Sequence, residues 1–104
     1  MKNIQEKVKI FCSNNQLNTA VEYRILDTIS ELGELSKEIL KISEYGKNSI
    51  VLNDKIKLEV GDVFFSLITV ANSLGIDLEK ALSQVIEKYQ RRITKSLSPD
   101  SKND

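Results

Sequence analysis

Two copies of one short pattern constrain how this chain can fold. Residues 31–35 read Glu-Leu-Gly-Glu-Leu, and residues 59–63 read Glu-Val-Gly-Asp-Val. Each copy lies in a stretch with the periodicity of an amphipathic helix, where residues three apart lie on nearly the same side. Each copy therefore directs two carboxylates the same way. Because glycine inside a helix costs about 1 kcal/mol relative to alanine, the two glycines predict a close approach of the two helices.

The two acid pairs predict a metal site if the helices pack antiparallel. The four acids are Glu31, Glu34, Glu59 and Asp62. Brought together, four carboxylates would repel one another unless a cation lay among them. A site made only of carboxylate oxygens suits Mg²⁺, and Mn²⁺ is possible. The alternative for the second helix by itself is an ordinary solvated acidic face.

Hydrophobic spacing predicts four helices, over residues 3–16, 19–44, 54–74 and 77–95. The predicted class is all-α: a compact four-helix bundle-like domain over residues 1–97, completed by homo-oligomerisation, with a flexible polar tail at 98–104. The predicted core positions are Ile4, Val8, Phe11 and Cys12 in the first helix, Val21, Ile25, Ile29, Leu32, Ile39 and Ile42 in the second, and Leu78, Ala81, Leu82, Val85, Ile86, Tyr89 and Ile93 in the fourth.

The third helix carries a polar strip without charge. After Asp62 this strip continues through Ser66, Thr69 and Ser73. Surface strips on soluble helices normally carry Lys, Glu or Arg. The strip therefore predicts a helix covered nearly all round, by its own bundle or by another chain. Acids at the start of a covered helix are costly unless they are paired, protonated or bound to metal, which favours the metal interpretation over the solvated face.

Composition excludes several kinds of site. The chain has no histidine and one cysteine, Cys12, so a Ser-His-Asp triad, a thiolate zinc site and an internal disulfide are excluded. The 15 basic residues equal the 15 acidic ones, which gives no support for binding nucleic acid. The longest uncharged run, residues 63–76, is shorter than the roughly 20 residues of a membrane span. With no secretory signal pattern at the N-terminus, we expect a cytoplasmic protein and no membrane partner.

A carboxylate-bound hard metal suggests hydrolysis of a polyphosphate. Mg²⁺ usually keeps waters and completes its coordination with substrate phosphates. The metal polarises a phosphoryl oxygen and lowers the pKa of the attacking water. A carboxylate that is not fully used as a ligand could take the proton from that water. Glu34 and Glu38 are the candidates for this catalytic role.

The acids also carry a resemblance to a known family. Glu31-x-x-Glu34, a gap of 24 residues and Glu59-x-x-Asp62 resemble the MazG-like nucleotide pyrophosphohydrolases of the all-α NTP pyrophosphatase superfamily. Residues 61–67 (Gly-Asp-Val-Phe-Phe-Ser-Leu) and 71–82 (Ala-Asn-Ser-Leu-Gly-Ile-Asp-Leu-Glu-Lys-Ala-Leu) are similar to the family in the same helices. The resemblance covers about residues 20–95. Family members often carry a further Glu where this chain has Ser30 and Leu58.

The resemblance implies an activity and an assembly. The activity is hydrolysis of a nucleoside triphosphate, NTP or dNTP, to the monophosphate and pyrophosphate, with Mg²⁺ held by the four acids. The assembly is a homodimer or homotetramer with sites near the subunit interface. Two alternatives remain open: a phosphoribosyl-ATP pyrophosphohydrolase, and a non-catalytic helical interaction module.

Five further residues are candidates for binding the substrate. Lys88, Arg91 and Arg92 could neutralise the polyphosphate, or they could simply stabilise the C-terminal end of the last helix. Asn72 could reach a base or sugar, or it could be a structural amide with its hydrogen bonds satisfied. Lys37 lies one turn beyond the first acid pair, where it could contact phosphate or pair with a neighbouring glutamate.

Overall fold

The computed structural model describes residues 2–97, and four helices account for most of them. These are α1 (Lys2–Asn14), α2 (Val21–Ile42), α3 (Asp54–Ser73) and α4 (Leu78–Ser96). No strand occurs within this described range. The predicted all-α class is therefore confirmed. The predicted tail, residues 98–104, lies outside the described residues.

Side-chain caps and one glycine set the ends of α3 and α4. The side chain of Asn53 accepts a hydrogen bond from the Ile56 amide, at 2.8 Å. Asp77 does the same for the Lys80 amide, at 3.2 Å. Each cap satisfies one of the N–H groups that a helix start leaves without a partner. Gly75, at φ 67°, adopts the left-handed conformation that ends α3 and permits the turn into α4.

The helices pack around α3. α2 runs antiparallel to α3 and forms the largest helix contact, and α1 packs on α3 from another side. The small core consists of Val8 and Cys12 from α1 and Ile68 from α3, with Phe65 and Leu78 packed against it. The core thus lies at the α1–α3 contact, and it extends to the first residue of α4.

α4 projects away from the other three helices. The axes of α3 and α4 differ by 99°, and α4 contains no buried residue. The radius of gyration is 17.9 Å, against about 13 Å for a compact chain of 100 residues. One chain is therefore more extended than a compact chain of similar length, because α4 projects from the other three helices. Within residues 2–97 no single helix has the length and apolarity of a membrane span, although α3 and α4 meet that criterion together across their bend.

α2 turns a different face inward from the one its apolar residues predicted. Ile25, Ile29 and Leu32 are exposed, Ile29 by 62%. Because seven residues make almost two full turns, the buried face recurs every seven positions. This inward face carries Val21, Arg24, Thr28, Glu31, Leu35, Glu38 and Ile42, all at least partly buried. It meets the polar strip of α3, where Ser66 and Thr69 are 7% and 5% exposed. The core predicted for α2 is therefore wrong at Ile25, Ile29 and Leu32, which do not lie on the inward face.

Two further expectations are wrong within a single chain. The apolar residues predicted to face inward along α4 are exposed, because none of the described helices packs along this part of α4: Leu82, Val85, Ile86, Tyr89 and Ile93. The glycines at 33 and 61 do not mark a close helix approach, since a Cβ at either would have no atom within 4 Å. Each glycine follows an inward acid by two residues, about 200° round the helix, and so faces away from the helix pair.

Candidate metal centre

Three acids meet where α2 crosses the first half of α3. Glu59 and Asp62 lie one turn apart on α3, and the antiparallel packing places Glu31 of α2 beside them. One carboxylate oxygen of each residue lies within 4.8 Å of the other two. Glu31 and Glu59 are partly buried and Asp62 is exposed. The structure thus brings together three of the four predicted metal ligands, and Glu34 lies outside this group.

The electrostatics of the cluster favour a cation. The pKa of Glu31 is raised above the usual range of a glutamate, first by loss of hydration and then by the nearby charges of Asp62, Glu59, Glu34 and Asp27. None of the three clustered acids pairs with a lysine or arginine among residues 2–97. Negative charge is therefore concentrated here without compensation from the residues that the structure describes.

The donor set fits a hard divalent cation. Mg²⁺ binds oxygen at 2.0–2.1 Å, so two oxygens on opposite sides of the ion lie about 4 Å apart. The three oxygens of the cluster are within 4.8 Å of one another, and small side-chain shifts would bring them into range. Such a site leaves coordination positions for water and phosphate oxygens. The cluster can therefore present a cation to a phosphate-bearing ligand.

The two candidate bases lie in different surroundings. Glu38 is buried, and its Oε2 lies 3.1 Å from Lys55 Nζ. It is seven residues from Glu31, which is about 10 Å along the helix. Glu34 is exposed, one turn from Glu31, and close enough to raise its pKa. Glu34 therefore lies near the cluster with a free approach from solvent, whereas Glu38 is buried and ion-paired with Lys55.

Asn72 makes structural hydrogen bonds. Its Oδ1 accepts from Gln5 Nε2 at 3.1 Å, and its Nδ2 donates to the Gln5 carbonyl at 3.0 Å. This is the alternative that the sequence left open for Asn72, and both ends of the amide are used. Nothing in the sequence marked Gln5, because a glutamine on an amphipathic helix is unremarkable.

The predicted cationic substrate contacts are divided between two places. Lys37 is exposed beside an open groove on α2 that Leu40, Lys41 and Tyr45 also line. Lys88 and Arg92 flank the ring of Tyr89, at 5.1 and 5.9 Å from its centroid. From Asp62 to Arg91 the chain follows the rest of α3, turns through 99° and then follows most of α4. At 1.5 Å per residue this separates Arg91 from the cluster by about 20 Å or more.

A cavity of about 180 Å³ lies between α1, α2 and α3. Lys9, Cys12 and Arg24 line one part of it, and Thr69 and Ser73 line another. Arg24 also donates to the Leu17 carbonyl in the α1–α2 loop. Arg24 was not among the residues predicted from the sequence. The sequence feature that could have identified Arg24 is its seven-residue spacing from Glu31, which places both side chains on the inward face of α2.

The described chain is thus an all-α protein that carries a cluster of three carboxylates. The sequence model of one protein family, the MazG nucleotide pyrophosphohydrolase domain, matches residues 20–96 of this chain. The chain belongs to this family, and the predicted family is confirmed.

Relatives in sequence and in structure agree with this assignment. YpjD of Bacillus subtilis (strain 168) is 40% identical over 63 residues, which are 60% of this chain and 57% of YpjD. The match thus spans little more than half the length of that relative. The crystal structure of YpjD aligns with a TM-score of 0.71 and 32% identity, over 86% of this chain and 91% of that one. The Bacillus-conserved MazG protein, a nucleotide pyrophosphohydrolase, aligns with a TM-score of 0.70 and 31% identity, over 85% and 86%.

Proposed function

We propose that this protein is a metal-dependent nucleotide pyrophosphohydrolase that converts an NTP or dNTP and water into the (d)NMP and pyrophosphate. The observation that carries the proposal is the cluster of Glu31, Glu59 and Asp62, three carboxylates within 4.8 Å that no cation of the described chain neutralises. Its occurrence in a member of the MazG family supports a phosphoric anhydride as the bond that is broken. Mg²⁺ is the expected ion, with Mn²⁺ as a substitute.

The residues of the chain would divide the work as follows. Glu31, Glu59 and Asp62 hold the ion, with Glu34 as a further ligand or as the base. A bound ion supplies charge stabilisation at a phosphoryl oxygen and a more acidic water. Water forms the new P–O bond, the anhydride bond between the α- and β-phosphates breaks, and pyrophosphate leaves. Glu34, one turn from Glu31 and exposed, accepts the proton released by the water.

The uncovered apolar surface supports a homodimer or homotetramer. Ile29 of α2 and Ile86 of α4 are 62% and 58% exposed, and similar residues flank both. Exposed apolar patches of this kind mark sites of protein association. Since Lys88, Arg91 and Arg92 lie about 20 Å or more from the cluster of their own chain, we propose that they reach the cluster of a second copy. There they would neutralise the polyphosphate.

The nucleoside has a candidate cavity within one chain. Thr69 lines the cavity between α1, α2 and α3, and it lies seven residues, about 10 Å along the helix, from Asp62. A triphosphate bound at the cluster could place its sugar or base in that cavity. Lys37 lies one turn beyond Glu34, in the direction away from Glu31. It is a cation of the same chain that could contact phosphate. We expect the cytoplasm as the compartment, and neither nucleic acid nor membrane as a partner.

A pyrophosphate-release assay tests this function. The protein is incubated with canonical and modified (d)NTPs and with phosphoribosyl-ATP, in Mg²⁺, in Mn²⁺ and in EDTA. We expect monophosphate and pyrophosphate from at least one nucleoside triphosphate, and none in EDTA. Release of single phosphates would contradict the reaction. Turnover of phosphoribosyl-ATP alone would replace the substrate, and no turnover with no metal effect on melting would favour an interaction module.

A further inference from the structure

One side chain of α1 ties together three parts of the corner between α3 and α4. Gln5 Nε2 donates to Asn72 Oδ1 at 3.1 Å and to the Ile76 carbonyl at 2.7 Å. The Leu78 amide donates to Gln5 Oε1 at 3.0 Å. Asn72 Nδ2 completes the set by donating to the Gln5 carbonyl at 3.0 Å. Residues 67 to 73 positions apart in sequence are thus joined by four hydrogen bonds.

These hydrogen bonds fix the position of α4, which has few packing contacts with the other helices. α4 has no buried residue, and Leu78, at its start, is its contact with the core. The Leu78 amide belongs to the first turn of α4, whose N–H groups have no partner within the helix. Its bond to Gln5 therefore fixes the start of α4 relative to α1. The direction of α4 is set at this corner and not by packing along its length.

A small change at the corner has a large effect at the far end of α4. Arg91 lies 13 residues beyond Leu78, which is about 20 Å of helix. A rotation of about 15° at the corner would move Arg91 by about 5 Å over that length. Such a displacement exceeds the distance over which a guanidinium can hydrogen-bond to a phosphate. Contacts made by Arg91 therefore depend on the geometry at Gln5.

We propose that Gln5 and Asn72 are positioning residues for the hydrolysis. They hold α4 at the angle that carries Lys88, Arg91 and Arg92 to the polyphosphate at the acid cluster of a second copy of the chain. This inference rests on the proposed function and on that second copy. Neither Gln5 nor Asn72 contacts the acids of the cluster; both act through the direction of α4.

Steady-state kinetics of two Gln5 variants test the inference. Gln5→Ala removes all three side-chain hydrogen bonds, and Gln5→Glu keeps the acceptor for the Leu78 amide but loses both donated bonds. We expect KM for the nucleotide to rise at least fivefold in both variants, with kcat within threefold of the parent, because α4 cations bind substrate and transition state alike. The increase of KM with salt should also flatten, since fewer cations engage the phosphates.

The control is a cap that does not touch α4. Asn53→Ala removes the hydrogen bond to the Ile56 amide at the start of α3, so it lowers stability while leaving the corner intact. We expect its KM and salt dependence to match the parent. Hydrogen exchange should become faster at residues 76–81 in the Gln5 variants only. Mn²⁺ binding to the cluster, measured by electron paramagnetic resonance, should be unchanged in all variants.

These experiments distinguish failure of the positioning role from failure of the proposed pyrophosphohydrolase activity. An inactive parent overturns both. An active parent, with KM in the Gln5 variants equal to that of the parent, overturns the positioning role alone. If Gln5→Ala does not fold, Gln5→Glu decides, because it retains one of the three side-chain hydrogen bonds of Gln5. An equal rise of KM in Asn53→Ala also overturns the inference, since it would attribute the effect to general loss of stability.

Discussion

Glu31 and Glu38 lie on the same inward face of α2, two turns apart, and have opposite surroundings. Glu38 faces Lys55 and forms an ion pair with it at 3.1 Å. Glu31 faces Glu59 and Asp62, which add to its negative charge. The same residue type on the same helix face thus serves as a structural contact in one place and as part of a candidate metal site in the other. The residue that α3 places opposite decides between the two.

The comparison also shows where the fold is held together and where it is under electrostatic stress. A buried carboxylate is costly unless it is paired, and Lys55 meets that need for Glu38. Among residues 2–97 the cluster at Glu31 has no such cation, and the pKa of Glu31 is raised by loss of hydration and then by the repulsion of the neighbouring acids. A bound divalent ion would remove this repulsion.

The first prediction concerns activity at the cluster. Asp62→Asn should reduce pyrophosphate release by at least about 100-fold, because loss of a ligand exceeds the 10–100-fold effect of removing a residue that merely supports one. Asp54→Asn is the control, since Asp54 lies on the same helix with its side chain 98% exposed. Circular dichroism should show both variants folded. Asp62→Asn activity within tenfold of the parent would exclude this cluster as the site.

The second prediction concerns metal binding and stability. Mg²⁺ or Mn²⁺ at 100 times its dissociation constant should stabilise the parent by about 2.7 kcal/mol. Thermal melting with and without the ion measures this. Glu31→Gln should lose most of the stabilisation, whereas Lys55→Ala should retain it, because Lys55 belongs to the other acid. Equal metal stabilisation of the parent and Glu31→Gln would contradict the assigned ligand.

The third prediction concerns the ion pair. Lys55→Ala should reduce the free energy of unfolding by about 1–3 kcal/mol, because it leaves the carboxylate of Glu38 buried and without its partner. Lys57→Ala is a matched control, two residues away and similarly exposed, and its pair with Asp54 is long at 3.9 Å. Its effect should stay within about 0.5 kcal/mol. Denaturant unfolding of both variants at neutral pH checks the difference.

The fourth prediction concerns pH in the absence of metal. The pKa of Glu31 is higher in the folded protein than its usual value. Between these two pKa values, the folded state therefore keeps a proton that the unfolded state has lost. The stability that this proton contributes is present at low pH and is lost as pH rises through the raised pKa. Glu31→Gln should therefore melt at a higher temperature than the metal-free parent at pH 7–8. The difference should shrink at pH 4; a difference constant over this range would refute the raised pKa of Glu31.

The sequence predicted the helices and the acids well because both follow from local spacing. The caps at Asn53 and Asp77 and the glycine at 75 mark helix ends by short-range hydrogen bonds and backbone conformation. The three-residue spacing of Glu59 and Asp62 places both acids on one side of any helix. Antiparallel pairing of the two helices then brings Glu31 to them. These steps need only helix geometry.

The inward face of α2 and the direction of α4 were not predictable in the same way. Ile25 and Ile29 carry the strongest apolar signal of α2, yet they are exposed, while the polar side of the helix meets Ser66 and Thr69. Apolar periodicity shows which face will be covered by something. It does not show whether the cover comes from the same chain or from another, and so the burial of each face had to be seen in the fold.

The four helices, the paired acids and the family follow from the sequence, because they depend on short-range spacing along the chain. Only the packing of the helices shows that Glu34 lies outside the cluster of Glu31, Glu59 and Asp62, and that Glu38 pairs with Lys55. It also decided that α4 turns away at 99°, and that Gln5 ties the corner across 67 residues. Those features depend on which helices meet and at what angle, and helical periodicity carries no information about either.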